Sequence, residues 1–189
     1  MCVTVRGPPV RKQNQVDVLR NVRGRFAPFF AVFGAAGRFI MYYLQAEASF
    51  DAAHFLKGYQ GKCSNLHGHR WRVVAQLKDQ RLQEQGPTKG MLLDFGELKA
   101  ALSAMTDEFD HALLVERGTL REETVQALTA EAFRMVTLPF RTTAENMARF
   151  FYDRLRAQGF PVAQVQVYET PTNCACYTGE EEAAALVQL

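Results

Sequence analysis

Three of the four histidines in this 189-residue chain lie within a span of sixteen residues. His67 and His69 flank a single glycine, and His54 precedes them. Residues i and i+2 of a β-strand point to the same face, so these two histidines can present their imidazole rings to one point. Three imidazole ligands leave one tetrahedral position open, as in catalytic zinc sites. The spacing therefore predicts a metal site and favours zinc, although ligand type alone leaves iron and nickel open.

Cys63 lies between these histidines in the chain and directly follows Lys62. A cationic metal and a lysine would both stabilise the thiolate form of the cysteine. A thiolate in that position could act as a general base or a nucleophile. The alternative is that Cys63 is an inert, small buried side chain, as most free cysteines are.

Two further ionisable groups could take part in chemistry. The fourth histidine, His111, follows Asp110, and a carboxylate can orient an imidazole and tune its basicity. Adjacent side chains on a strand diverge, so a structural role for this pair is the alternative.

Glu169 ends a strongly apolar segment. Its carboxylate could accept two parallel N–H bonds from the guanidine-like edge of a pterin or guanine ring, or it could simply be a surface charge at the end of a strand.

The apolar and polar residues alternate in two segments that would position the histidines. Residues 43–54 form a predicted half-buried strand that delivers His54 at its end, and residues 67–78 form a second strand that carries His67 and His69. Residues 56–66 and 79–90 are predicted loops. Met91–Leu93 is predicted to be a short buried strand.

Helical patterns fill most of the remaining chain. Asp94 is a predicted N-cap, followed by an apolar stripe of Phe95, Leu98, Leu102 and Met105. A second amphipathic helix is predicted over residues 122–135, and a third begins at Thr142-Thr143 and ends at Gly159. A closing strand over 162–168 has a hairpin partner at 175–177. This order of elements predicts an α+β domain, with an antiparallel sheet covered by helices on one side.

Composition narrows the class of protein. The hydrophobic and charged fractions are those of a globular domain, and no apolar run is long enough to span a bilayer. The four cysteines lack paired metal-ligand spacing, so we expect free thiols in a reducing compartment such as the cytoplasm. Cys174 and Cys176 are interpreted as two positions on one face of a strand.

The first forty residues differ from the rest. They carry seven basic residues and one acidic residue, whereas the remainder has a net charge of −4. They also lack amphipathic periodicity, and the acidic balance of the remainder argues against a nucleic-acid-binding protein. The codons for Gly37-Arg38 could form a bacterial ribosome-binding site just before Met41. We therefore predict that residues 1–40 are a non-native or poorly ordered extension, and that residues 41–189 are the functional domain.

Taken together and in this order, several motifs resemble the 6-pyruvoyltetrahydropterin synthase family, which includes the 6-carboxytetrahydropterin synthases. The motifs are Phe50-Asp51-Ala52-Ala53-His54, Cys63-Ser64-Asn65-Leu66-His67-Gly68-His69, Asp94-Phe95-Gly96-Glu97-Leu98-Lys99, Phe109-Asp110-His111, Thr142-Thr143-Ala144-Glu145-Asn146 and Val167-Tyr168-Glu169-Thr170. The resemblance covers Met41 to about Gly179. It implies the tunnelling fold, an antiparallel sheet with two main helices on one face that closes into a barrel only when subunits associate into trimers and hexamers.

The resemblance also assigns roles to residues. It implies that the zinc ligands are His54, His67 and His69, and that the catalytic triad is Cys63, Asp110 and His111. It implies that Glu169 anchors the pterin and that Thr142 and Thr143 line its pocket. Active sites of the family lie between subunits, so Cys63 and the Asp110-His111 pair could come from different chains.

The Cys-x3-His-Gly-His spacing is similar to that of the carboxytetrahydropterin synthases of the queuosine pathway. They convert 7,8-dihydroneopterin triphosphate to 6-carboxy-5,6,7,8-tetrahydropterin, acetaldehyde and triphosphate. The alternatives are a 6-pyruvoyltetrahydropterin synthase, which only eliminates triphosphate, and a non-catalytic zinc- or pterin-binding module. Candidate cations for the triphosphate are Lys62, Arg70, Arg72 and Arg141.

Overall fold

The computed structural model describes residues 40–179. The predicted extension of residues 1–40 therefore lies outside the described residues apart from Ile40, and its character stays a prediction. The strands are β1 (Tyr42–His54), β2 (His67–Asp79), β3 (Ala112–Glu116), β4 (Met135–Leu138), β5 (Val162–Thr170) and β6 (Asn173–Tyr177). The helices are α1 (Phe95–Thr106), α2 (Glu122–Ala130) and α3 (Ala144–Ala157).

The strands form one mixed sheet in the order β4-β3-β1-β2-β5-β6. The predicted antiparallel arrangement is confirmed for the pairs β1/β2, β2/β5 and β5/β6. It is wrong for β3 and β4, because β3 runs parallel to β1 and β4 runs parallel to β3. A parallel pair of consecutive strands needs a crossover connection, and α2 supplies it between β3 and β4.

One face of the sheet packs against the helices and is called the inner face here. Its core contains Phe50, Trp71, Val73 and Val167, all almost fully buried. Helix α1 contributes Leu98, Leu102 and Met105 to the same hydrophobic cluster, and α3 contributes Met147, Phe151 and Leu155. Helix α2 has no buried residue. The two main helices therefore pack on one face, as predicted.

The outer face of the central strands is polar. The Arg72 guanidinium lies 3.0 Å from the Glu47 carboxylate and 3.8 Å from the centre of the Tyr168 ring. Arg70 lies 3.8 Å from Asp51 on the neighbouring strand. These residues alternate with the buried ones, as expected for a sheet whose single apolar face packs on a core.

Three local predictions are wrong. Met91–Leu93 is not a strand, because Leu92 and Leu93 enter the core from an irregular segment just before the α1 N-cap. The second helix ends at Ala130 rather than 135, because Ala132 adopts a left-handed φ of 60° and the chain turns into β4. Phe95, predicted in the buried stripe of α1, is 56% exposed at the first helical position.

The structure agrees with what the sequence predicts about the cysteines and about membrane-spanning segments. Cys63, Cys174 and Cys176 are free thiols. No helix within residues 40–179 has the length and apolar character needed to cross a bilayer.

The contrast between two side chains of α1 gives a test of the fold. Leu98→Ala should lower the free energy of unfolding by about 2–5 kcal/mol, because Leu98 is fully buried and its removal leaves a cavity. The matched control Phe95→Ala should change it by only about 0.5 kcal/mol, because that ring is mostly exposed. Urea denaturation followed by circular dichroism measures both, and equal losses would contradict this packing of α1.

Candidate metal centre and acid–base pair

The pairing of β1 with β2 brings the three predicted histidines together. His54 lies directly opposite His67, and Ala52 lies opposite His69. All three side chains therefore project from the inner face at one end of the sheet. Their ligand nitrogens and a carboxylate oxygen of Glu169 lie within 4.8 Å of one another. This group could bind a metal ion, as the sequence predicts for the histidines.

Backbone carbonyls fix the orientation of two of the rings. His54 Nδ1 lies 2.9 Å from the Thr142 carbonyl oxygen, and His67 Nδ1 lies 2.7 Å from the Asn65 carbonyl oxygen. A carbonyl only accepts, so each Nδ1 carries the proton and donates it. In the neutral ring, each Nε2 then turns an unshared pair toward the centre of the group, which is the tautomer that metal-binding histidines adopt.

The surroundings of the Nε2 atoms that point into the group are suited to a bound metal ion. His67 Nε2 is buried and has no hydrogen-bond partner among the described residues. A buried polar atom without a partner is costly, and a bound cation would satisfy it. Trp71 closes the inner side of the group, with its ring edge-on to His54 at 5.0 Å and to His69 at 5.8 Å. An apolar wall of this kind limits water on the core side.

The charges in the group favour a cation. The Glu169 carboxylate, whose Oε1 is 3.2 Å from His54 Nε2, has its pKa held below the usual value mainly by the His54 ring, against the effect of burial. Burial lowers the pKa of His69 more than the Glu169 carboxylate raises it. A neutral imidazole and an ionised carboxylate are the forms that bind metals.

Cys63 lies outside this metal-binding group. It sits in a short 3₁₀ turn, Lys62–Ser64, in the loop between β1 and β2, and is half-buried. Its carbonyl accepts a hydrogen bond of 2.8 Å from the Leu56 backbone N–H. This bond closes the loop and fixes the backbone of Cys63 opposite Leu56. The proposed catalytic role of Cys63 therefore stays a prediction.

Asp110 and His111 form a direct pair in the tight turn before β3. The Asp110 Oδ2 atom accepts from His111 Nδ1 at 2.7 Å, and its Oδ1 atom accepts from the Asp51 backbone N–H at 2.8 Å. The Asp51 N–H and then the His111 ring hold the pKa of Asp110 below its usual value. Adjacent side chains diverge on a regular strand, but these two residues lie in a turn. His111 adopts a left-handed φ of 54°, which turns its ring back to the carboxylate.

The acid–base pair is not part of the metal-binding group, but it shares a groove with one of that group's histidines. His111 is exposed and lies in an open groove of 710 Å³ that also contains His69, Arg70 and Arg134. Asp51 and Arg70 are paired residues of the outer face, whereas His54 is buried on the inner face. The geometry therefore leaves the Nε2 atom of His111 accessible to a molecule outside this chain.

Thr142 and Thr143 support the site from the start of α3. Thr142 is fully buried, and its carbonyl and hydroxyl oxygens lie 2.9 and 3.3 Å from His54 Nδ1. Thr143 is the helix N-cap and accepts from the Asn146 backbone N–H. Contact of either residue with a pterin stays a prediction.

Three of the four candidate triphosphate cations make local contacts, and one of them is Arg70, which lies 3.8 Å from Asp51. Arg72 pairs with Glu47, and Arg141 donates through Nη2 to the Lys57 carbonyl at 3.0 Å. The Arg141 Nε atom is buried and has no hydrogen-bond partner in the described part of the chain. Arg141 therefore keeps a donor free beside the loop that carries Cys63.

Sequence reasoning missed two features of this site. It did not foresee that the Thr142 and Asn65 carbonyls orient the histidines, because a backbone acceptor leaves no signal in residue type. It also did not foresee that Glu169 lies beside the imidazoles, and the role of Glu169 as the pterin anchor stays a prediction. The alternation of Val165, Val167 and Glu169 on β5 was the signal for this position, since it sets Glu169 on the same inner face.

Comparison with known proteins agrees with this arrangement. Residues 43–180 match the family described as 6-pyruvoyl tetrahydropterin synthase. A 6-carboxy-5,6,7,8-tetrahydropterin synthase from Haemophilus influenzae is 36% identical over 143 residues, which cover 72% of this chain and 99% of that relative.

Two solved structures share the fold. A protein of uncharacterised function from Wolinella succinogenes has a TM-score of 0.62 at 21% identity, covering 75% of this chain and 99% of that one. The 6-pyruvoyl tetrahydropterin synthase from Plasmodium vivax has a TM-score of 0.55 at 19% identity, covering 73% and 97%. At these identities the likeness concerns the fold, which is the tunnelling fold predicted from the sequence.

The separation of the two histidine sites gives a metal-binding test. His67→Ala should lose bound zinc after dialysis, because it removes one of three imidazole nitrogens from the group. The matched control His111→Ala should keep zinc, since His111 does not belong to the group. Elemental analysis of both proteins measures the metal, and unchanged zinc in His67→Ala would refute ligation by this residue.

Proposed function

This chain belongs to the 6-pyruvoyl tetrahydropterin synthase family, and on that premise we propose that it is a zinc-dependent 6-carboxy-5,6,7,8-tetrahydropterin synthase. Its substrate is 7,8-dihydroneopterin triphosphate, and its products are 6-carboxytetrahydropterin, acetaldehyde and triphosphate. The observation that carries the proposal is the cluster of three inward-facing imidazoles on a chain that is 36% identical to a relative with this name. We place the reaction in queuosine biosynthesis, as the Cys-x3-His-Gly-His spacing implies, and in the cytoplasm, because the cysteine spacing favours free thiols in a reducing compartment.

The three imidazoles would hold the zinc ion, with His54 and His67 held in place by their backbone carbonyl partners. Bound zinc would supply Lewis acidity, which lowers the pKa of hydroxyl groups on the substrate side chain. Cys63 then removes a proton from that side chain as a thiolate. The loop-closing bond between Cys63 and Leu56 limits the motion of this base.

The Asp110-His111 pair returns or relays the proton. Asp110 is held ionised by the Asp51 N–H, so His111 keeps its Nδ1 proton on the carboxylate and presents Nε2 for proton transfer. Glu169 holds the ring edge of the bound pterin, because a carboxylate can accept two parallel N–H bonds from it.

A complete site in this proposal needs two chains. The His111 ring is exposed and does not belong to the metal-binding group, and we propose that the pair supplied to one metal centre comes from another copy, as the family resemblance implies. Edge strands β4 and β6 leave backbone groups available for pairing between copies. A ring of such subunits, trimeric and stacked as a hexamer, would bring both halves together.

The product assay tests the proposed reaction. Incubation with 7,8-dihydroneopterin triphosphate should yield 6-carboxytetrahydropterin and acetaldehyde by mass spectrometry. Cys63→Ala should retain zinc but lose about 10²–10⁴-fold in turnover, because it lacks the proton acceptor. Formation of a 6-pyruvoyl product without acetaldehyde would favour the pyruvoyl synthase instead, and normal turnover in Cys63→Ala would remove that residue from the mechanism.

Subunit complementation tests the two-chain site. His67→Ala and His111→Ala should each be inactive alone. If they are unfolded together and refolded as mixed oligomers, roughly one site in four should combine an intact metal group with an intact pair, by random assortment of two chain types. Activity should therefore return on mixing. A mixture that forms hetero-oligomers and stays as inactive as its parents would show that each chain builds its own site.

A further inference from the structure

Glu169 is placed to reach the metal rather than only the substrate. It follows Val165 and Val167 on the inner face of β5, and β5 pairs with β2, which carries His67 and His69. Its Oε1 atom lies 3.2 Å from His54 Nε2 and 3.8 Å from His69 Nε2. The Glu169 side chain is 24% exposed and that of His54 is fully buried.

The contact between Glu169 and His54 needs a cation. His54 Nδ1 already donates its proton to the Thr142 carbonyl, so a neutral His54 turns an unshared pair on Nε2 toward the carboxylate. Two acceptors at 3.2 Å repel each other. A metal ion between them removes the repulsion, because both atoms then become its ligands. A second proton on His54 would also remove it, by forming an ion pair, and the cobalt experiment below separates the two cases.

The distances match the edges of a tetrahedral site. Zinc bonds to histidine nitrogen and carboxylate oxygen of about 2.0–2.2 Å place neighbouring tetrahedral ligands about 3.3–3.5 Å apart. The two measured separations, 3.2 and 3.8 Å, bracket this range.

We propose that the Glu169 carboxylate is the fourth metal ligand when no substrate is bound, and that it leaves the metal when the substrate hydroxyls bind. This inference rests on the metal site of the proposed function. Exchange of this kind keeps a competing anion or water off the metal in the resting enzyme. It also releases the carboxylate beside the bound ring, where it can accept the ring N–H groups.

Cobalt spectroscopy of the full-length protein tests the inference, because the visible bands of Co²⁺ depend on its ligands. The proteins are wild type, Glu169→Gln, Glu169→Ala and the matched control Glu123→Gln, whose side chain is exposed on α2. Each is loaded with Co²⁺ and titrated with azide, a small anion that binds readily where a metal position is open or holds an exchangeable water. Competition with a chelator gives the Co²⁺ affinity, and far-ultraviolet circular dichroism confirms the fold.

The wild type and Glu123→Gln should show the same bands and little response to azide. Both Glu169 variants should shift the bands without azide, respond to azide and lose about tenfold or more in Co²⁺ affinity. An equal azide response in the wild type and the Glu169 variants would overturn the inference, and would leave Glu169 as an ion-pair partner of protonated His54. Failure of the wild type to bind Co²⁺ would instead contradict the metal site on which the proposed function rests.

Discussion

The register between β1 and β2 is the constraint on which the site depends. The pairing of His54 with His67 along an unbroken antiparallel ladder sets all three imidazoles on one face. Side chains alternate with a period of two, so a slip of one residue would turn the rings of one strand to the outer face. The register is held in turn by the apolar inner-face residues, among them Phe50 and Trp71, which are directly paired and stacked. The hydrophobic core therefore specifies the metal geometry.

Backbone carbonyl groups then orient the rings that the strand register brings together. Carbonyl groups of Thr142 and Asn65 hold His54 and His67 in the tautomer whose Nε2 atom is free. These acceptors lie on connecting segments rather than on the strands that carry the rings. The start of α3 therefore matters to the metal centre, although none of its side chains belongs to the ligand group. The Asp51 backbone N–H in turn holds the Asp110 carboxylate, so β1 supports both halves of the proposed chemistry.

Much of the fold and of the metal group could be predicted from the sequence, because both arise from local periodicity. The alternation of residues 44–54 and the two histidines at i and i+2 determine which side chains share a face. Features that depend on tertiary contacts could not be predicted. The left-handed Ala132 ends α2 without a glycine to mark it, and the parallel direction of β3 and β4 depends on how the connecting segments cross the sheet.

The central claim is that three imidazoles of one chain bind zinc, and X-ray absorption spectroscopy of the zinc-loaded wild-type protein tests it most directly. The account predicts three histidine nitrogens at about 2.0–2.1 Å from the metal, one further oxygen ligand and no sulfur. A sulfur neighbour at about 2.3 Å, or a spectrum without the scattering of imidazole rings, would contradict it. A sulfur ligand would also exclude the thiolate of Cys63 from acting as the base.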